Sequence, residues 1–363
     1  MCGTTRPRDD GGMVLYLPEP TGPNPVGTTS VHLVDDSRPD QWVPDTRREL
    51  MITIWYPAAS ATGERAGYLT PTESELVLSR RDIPVPLDTL STVRPTAFID
   101  APTSGEPRGL PLVLLSPGFT QPRATLTSIG EDLASHGYVV AVIDHTHENA
   151  AMTFPDGRVV GFGLPQGRRG RDFWLRVRGG RAADASFVLD ELLGTNPPWP
   201  GAALIDPDRV GMAGHSAGGA STIAAMLADP RIRVGSNMDG STDAPIPTTG
   251  LSRPFLFFGR DGQYSPGDGH AADTWAWDWP GLTGWKRWLV VAGAAHASFT
   301  DLGLIADQLG ISFGATAPGL RTMAITRTYL RALFDQHLRD EPRPLLDGPD
   351  AAHPEVFFRD PGT

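Results

Sequence analysis

Short apolar runs rich in Val, Ile, Leu and Phe recur along the chain, and most stretches between the later ones carry apolar residues at helical spacing. Runs of four to eight such residues without strict alternation fit strands buried on both faces, and strands alternating with helices build a mainly parallel sheet. Eight strands are expected, over roughly 29–34, 50–56, 110–115, 138–143, 210–213, 234–238, 255–258 and 288–291. Leu126, Ile129 and Leu133 mark a helix that stops at His136-Gly137. A long amphipathic helix is expected over 173–193, and a C-terminal one, marked by Leu330, Leu333 and Phe334, after Pro318. No helix pattern separates the first two strands, so they read as an antiparallel hairpin at the sheet edge. The fold class is therefore α/β, with an eight-stranded, mostly parallel sheet flanked by helices.

Three stretches break the alternation. Residues 60–108, rich in Pro, Ser and Thr around one helix at 73–81, are too long for a simple connection and read as an excursion over the surface or the site. Residues 146–172 contain Phe154, Phe162 and an arginine-rich run, and 262–288 contains most of the tryptophans. The organisation expected is an N-terminal extension (1–26), one α/β domain (27–338) and a Pro- and Asp-rich tail (339–363) wound over the surface.

Composition narrows the chemistry. The single cysteine, Cys2, excludes an intramolecular disulfide and cysteine-based clusters, and Lys286 is the single lysine, which removes Schiff-base and P-loop chemistry. The net charge of −11 argues against a nucleic-acid partner. The first residues lack the apolar core of a secretory signal, and Met13 is an alternative start. With no run of 18 apolar residues to insert in a membrane, a cytoplasmic protein is expected, or a secreted one if a leader has been removed.

Gly214-His215-Ser216-Ala217-Gly218 lies between an expected strand and an expected helix. A serine hydroxyl becomes a nucleophile when a sharp turn projects it beside a histidine, and a turn that tight needs glycine at its flanks. The helix that follows aims its N-terminal N–H groups, Ala217 first, at a developing oxyanion. In this order of triad members the base comes last. His296 directly follows the last strand, whereas His337 lies inside the C-terminal helix and His353 in the tail. Two acids fit equally: Asp239 at the end of the sixth strand and Asp261 after the seventh. Leu115-Ser-Pro-Gly-Phe119 is placed to give a second oxyanion donor, and because Pro117 lacks an N–H this must be Gly118 or Phe119.

Four segments together resemble the plasma and intracellular type II platelet-activating-factor acetylhydrolase family of α/β-hydrolases and its bacterial members. They are Arg48-Glu-Leu-Met-Ile-Thr-Ile-Trp-Tyr-Pro57, the stretch from Leu115-Ser-Pro-Gly-Phe119 to Asp132-Leu-Ala-Ser-His-Gly-Tyr-Val-Val-Ala141, the elbow with Asn237-Met-Asp-Gly240, and His296-Ala-Ser-Phe-Thr-Asp301. The resemblance implies an α/β-hydrolase fold with Ser216 as nucleophile, Asp239 rather than Asp261 as acid, His296 as base, and the Phe119 and Ala217 amides as oxyanion donors. Pro117 and Ala217 stand where mammalian members have a histidine and a bulky residue, which alters the acyl pocket.

Trp275, Trp277, Trp279, Trp285 and Trp288 crowd the stretch before His296, and three of them (Trp275, Trp277, Trp279), with His215 and Phe299, are candidates to line the substrate pocket. His145-Thr-His147-Glu148 raises the question of a metal, but no further ligand follows at useful spacing, and His145 reads as a loop-bonding residue near the site. The expected activity is carboxylic-ester hydrolysis on a small-molecule ester, esterase- or lipase-like, without cofactor or metal. A lactonase, an amidase, or a thioesterase or acyltransferase of natural-product biosynthesis would use the same groups, and a non-catalytic binding module is the reading from a different class.

Overall fold

The computed structural model describes residues 14–80, 83–164, 169–242 and 244–361. Cys2, Met13, the first half of the expected N-terminal extension and Arg81 lie outside the described residues.

Twelve strands form among them: β1 (Val26–Pro39), β2 (Arg47–Pro57), β3 (Phe98–Ile99), β4 (Leu110–Ser116), β5 (Val139–His145), β6 (Ala151–Thr153), β7 (Val159–Gly161), β8 (Ile205–His215), β9 (Ile232–Met238), β10 (Phe255–Arg260), β11 (Lys286–Val291) and β12 (Val356–Arg359). The α-helices are α1 (Pro71–Leu78), α2 (Thr127–Ser135), α3 (Arg171–Leu193), α4 (Ala217–Ala228), α5 (His270–Asp278), α6 (Asp301–Gln308) and α7 (Gly319–Leu338). Ten strands make one sheet in the order β12-β11-β10-β9-β8-β4-β5-β2-β1-β3, while β6 and β7 pair separately. All eight expected strands are in the large sheet, and β1 and β2 pair antiparallel as the sequence implied. The two additional strands lie at its edges. Phe98–Ile99 pairs with β1 over two residues, and β12 runs antiparallel to β11. The tail expected over the surface thus closes one edge of the sheet, its backbone pairing from Val356↔Val291 to Arg359↔Trp288.

Side chains alternate across the central strands with period two. Leu112, Leu114, Ala141, Ile143 and Met212 face one core with Ala185, Val188 and Leu189 of α3. Val113, Leu115, Val140, Val142 and Ala213 face the other with Ile129 and Leu133 of α2 and Leu330, Leu333 and Phe334 of α7. Both faces are covered, which explains why these strands read as unbroken apolar runs. The excursion at 60–108 is anchored rather than loose. Its helix starts two residues earlier than the sequence suggested, at a capping box in which Glu73 N–H donates to Thr70 Oγ1 at 3.2 Å and Thr70 N–H to Glu73 Oε2 at 2.9 Å.

The second core continues into a buried polar junction of α2, α6 and α7. Asp301 accepts the Ser128 N–H at 3.3 Å, with Glu131, Arg327 and Tyr68 close by. Burial pushes the Asp301 carboxyl up to about 7, against the pull of the Ser128 bonds and Arg327. The folded state therefore holds a proton here that the unfolded chain releases near the ordinary value of 3.8. The stability this contributes is present below about pH 4 and lost as pH rises to about 7. Asp301→Asn cannot ionise, so the difference in unfolding free energy between variant and parent should move in the variant's favour across that window and level off above it. Denaturation at pH 4, 5.5 and 8 checks this, and a pH-independent difference would contradict it.

Candidate active site

Ser216 sits between β8 and α4 at φ 55° and ψ −119°, a left-handed conformation that a serine adopts only when its surroundings enforce it. Enforcement comes from packing. A Cβ on Gly218 would lie 2.0 Å from the Ser116 carbonyl oxygen, and one on Gly214 would lie 2.3 Å from the Gly218 backbone, so neither position accepts a side chain. The Ser216 N–H donates to the Met238 carbonyl at 2.8 Å, tying the elbow to the end of β9. Ala217 is the first residue of α4, where an N–H has no intrahelical acceptor. Because β4 pairs with β8 up to Ser116↔Gly214, the Pro117-Gly118-Phe119 loop leaves the sheet beside the elbow.

Asp239 directly follows β9 and is also left-handed, at φ 56°. Asn237 closes the turn: its Nδ2 donates to the Gly240 carbonyl at 2.8 Å and its Oδ1 accepts the Gly240 N–H at 3.0 Å. The Asp239 carboxylate is buried, and its Oδ2 accepts from His296 Nδ1 at 2.5 Å. Oδ1 accepts the Arg260 N–H at 2.9 Å, while the Arg260 guanidinium lies 3.3 Å from Oδ2. With Nδ1–H committed to Asp239, Nε2 of a neutral His296 is left as the proton acceptor. Asp261 is engaged elsewhere, with Ser265 Oγ at 2.6 Å and Arg359 at 3.2 Å, so of the two candidate carboxylates it is Asp239 that contacts His296.

Ser216, Ala217, Asp239 and His296 line one cleft of about 480 Å³, whose other walls include Trp174, Arg178, Arg260, Gln263, Tyr264 and His270. Several residues expected in the pocket lie elsewhere. His215 is fully buried behind the elbow, where burial and the neighbouring His296 push its imidazole well below the usual value, and its ring Nε2 donates to the His296 carbonyl at 2.8 Å. It holds the His296 loop rather than facing the cleft. Trp275 stacks between Tyr264 and Phe257 in the core and donates to the Gly240 carbonyl at 2.7 Å. Phe299 is packed edge-on to Phe258, and Trp279 lies against Trp288 and Lys286. Trp277 is half exposed and lines an adjoining cleft with Trp174 and His270. The tryptophan cluster thus backs the cleft, since an indole N–H buried with its ring finds a carbonyl in the turn carrying Asp239.

Trp174 was missed because it opens α3 immediately after an arginine-rich run, where composition suggests solvent. It meets Phe119 edge-on at 5.2 Å, and Phe162 and Phe173 pack on the same Phe119 ring. His145 bonds side chains, Ser116 and Asp184, in place of the expected loop backbone.

The geometry has parallels in known proteins. A ferulic acid esterase from Streptomyces cinnamoneus superposes with a TM-score of 0.85 at 40% identity, covering 95% of this chain and 99% of that one. Residues 16–160 match the family model for platelet-activating factor acetylhydrolase, isoform II. The chain belongs to the platelet-activating-factor acetylhydrolase-like family of α/β-hydrolases. A probable 1-alkyl-2-acetylglycerophosphocholine esterase of Arthroderma benhamiae is 28% identical over 95% of this chain and 94% of its own length. A bis(hydroxyethyl) terephthalate hydrolase of Streptomyces coelicolor is 30% identical over 53% of this chain and 54% of its own. Like these family relatives, the protein is a carboxylic ester hydrolase. Among the described residues, no helix is long and apolar enough to cross a membrane.

Proposed function

We propose that the protein hydrolyses small aromatic-acid esters by acyl transfer to Ser216. The observation that carries this reading is the 2.5 Å bond that His296 Nδ1 donates to Asp239 in the cleft that also holds the strained Ser216. Ser216 Oγ attacks the ester carbonyl and its proton passes to His296 Nε2. The Phe119 and Ala217 amides stabilise the negative charge that forms on the carbonyl oxygen. When the C–O bond to the leaving group breaks, the alkoxide takes that proton and departs as the alcohol. Water then repeats the sequence: His296 removes its proton, the hydroxide adds to the acyl carbon, and Ser216 leaves with the proton restored. Asp239 holds the tautomer and the imidazolium.

Aromatic acyl groups suit the wall formed by Trp174 and Tyr264, since flat rings gain from edge and face contacts with aromatic side chains. Of the three proteins compared above, two are named for esters of aromatic acids and one for an acetyl ester. Methyl ferulate and methyl acetate, assayed side by side, test the substrate class. The expected result is a kcat/KM at least tenfold higher for the ferulate. A preference for the acetate would reject the aromatic reading while leaving the mechanism intact.

A further inference from the structure

Beneath the Pro117-Gly118-Phe119 loop, serine, histidine and aspartate recur in a second hydrogen-bonded series. Ser116 Oγ lies 2.8 Å from His145 Nε2, and His145 Nδ1 lies 2.7 Å from Asp184 Oδ2. All three are at most 1% exposed, so no ester reaches Ser116 and the series is not a second nucleophilic site. Its protonation state is set by its surroundings. Burial and the Arg181 charge bring the His145 imidazole down to about 4, so it is neutral. Burial by itself would raise the Asp184 carboxyl, but Arg48 and the His145 bond hold it well below the ordinary range. An ionised Asp184 accepts from Nδ1–H, which leaves Nε2 as an acceptor and makes Ser116 the donor.

The Ser116 oxygen then turns its lone pairs to Arg181, whose Nη1 lies 3.2 Å from Ser116 Oγ and 2.5 Å from the Pro117 carbonyl oxygen. Arg181 Nε donates to Glu148 at 2.8 Å, and the Glu148 carbonyl accepts the Thr120 N–H at 2.8 Å. The Gly118 carbonyl accepts the Gln121 N–H at 3.1 Å. In a trans peptide the N–H points away from its carbonyl, so fixing the Gly118 oxygen fixes the direction of the Phe119 N–H. Among the described residues nothing accepts that N–H.

We propose that Ser116, His145, Asp184 and Arg181 are positioning residues that clamp the loop so that the Phe119 N–H is already aimed at the oxyanion. This rests on the reading of Phe119 as an oxyanion donor to an ester attacked by Ser216. A donor fixed in advance spends no free energy on reorientation as charge develops, whereas a displacement of about 1 Å costs about 10²-fold in rate.

The test compares Ser116→Ala and Ser116→Cys with Val188→Ala, a control in the core packed on α3 that does not line the cleft. Substrate turnover and the affinity of an aryl trifluoromethyl ketone, which Ser216 converts to an anionic hemiketal, are both measured. Ser116→Ala should lower kcat about 10- to 100-fold with KM within about threefold, and should weaken the ketone by the same factor. Ser116→Cys, of similar size and a weak donor, should fall between, and Val188→Ala should move neither quantity. If Ser116→Ala does not fold, Ser116→Cys is read by the same criterion. Folded variants with kcat and ketone affinity within twofold of the parent, or a parallel loss in Val188→Ala, would overturn the clamp. Failure of the underlying reading looks different: a fluorophosphonate would then leave Ser216 of the parent unlabelled.

Discussion

Asp239→Asn should lower kcat by about 10⁴-fold, while Asp261→Asn should stay within threefold of the parent. The asymmetry follows from what each carboxylate touches. Asp239 accepts the Nδ1–H of His296 and is otherwise held by the Arg260 N–H and guanidinium. An asparagine there can offer its amide N–H to Nδ1, which favours the tautomer carrying its proton on Nε2. That tautomer cannot take the Ser216 proton. It also leaves the imidazolium of the transition state without its counter-charge, in a place where Asp239 is 1% exposed and water screens little. Asp261 bonds Ser265 and Arg359 at the sheet edge, so removing its charge alters a partly exposed contact and no proton transfer. Steady-state kinetics on one ester for both variants decide the matter. Equal losses, or the reverse ranking, would reject Asp239 as the acid.

Arg48→Ala should be the most damaging single change to stability, at about 3–5 kcal/mol. The side chain is fully buried and its guanidinium reaches two carboxylates and a carbonyl: Asp184 at 2.5 and 3.0 Å, Asp40 at 2.7 Å and the Thr146 oxygen at 2.9 Å. Truncation leaves Asp40 and Asp184 in a dry interior with much of their compensation gone; Arg38, 2.5 Å from Asp184, covers only part of the deficit. Because Asp184 also orients His145, the loss should spread toward the Ser116 loop. Arg158→Ala is the contrast. Its bonds to Glu49 and Asp156 are as short, but the side chain is half exposed and solvent replaces them, so its denaturation midpoint should stay at the parental value. Urea unfolding of the two variants measures the difference, and similar midpoints would show that burial does not set the strength of this network.

Much of this architecture was legible because burial leaves a mark on residue type. The strands that carry Ser216 and Asp239 end buried on both faces, and the elbow demands glycine wherever backbones meet too closely for a Cβ. What the sequence left open depended on direction in three dimensions. Asp239 and Asp261 both follow strands, and only the turn closed by Asn237 shows which carboxylate faces His296. Tryptophan density before His296 marked the right neighbourhood but the wrong surface: Trp275 turns inward because its N–H finds the Gly240 carbonyl. Trp174 carries no local signal, since a helix start amid arginines looks solvated until Phe119 packs on it. The strand at Val356–Arg359 was hidden for a similar reason, being short and set in a proline-rich tail whose pairing partner is 65 or more residues away.

Ser216 is proposed to form the acyl-enzyme. Incubation with a fluorophosphonate, followed by peptide mass analysis and a parallel ester assay, tests it most directly. One adduct is expected, on Ser216, with activity lost in proportion to labelling and neither labelling nor turnover in Ser216→Ala. An adduct on another residue, or ester hydrolysis that persists in fully labelled protein, would contradict it.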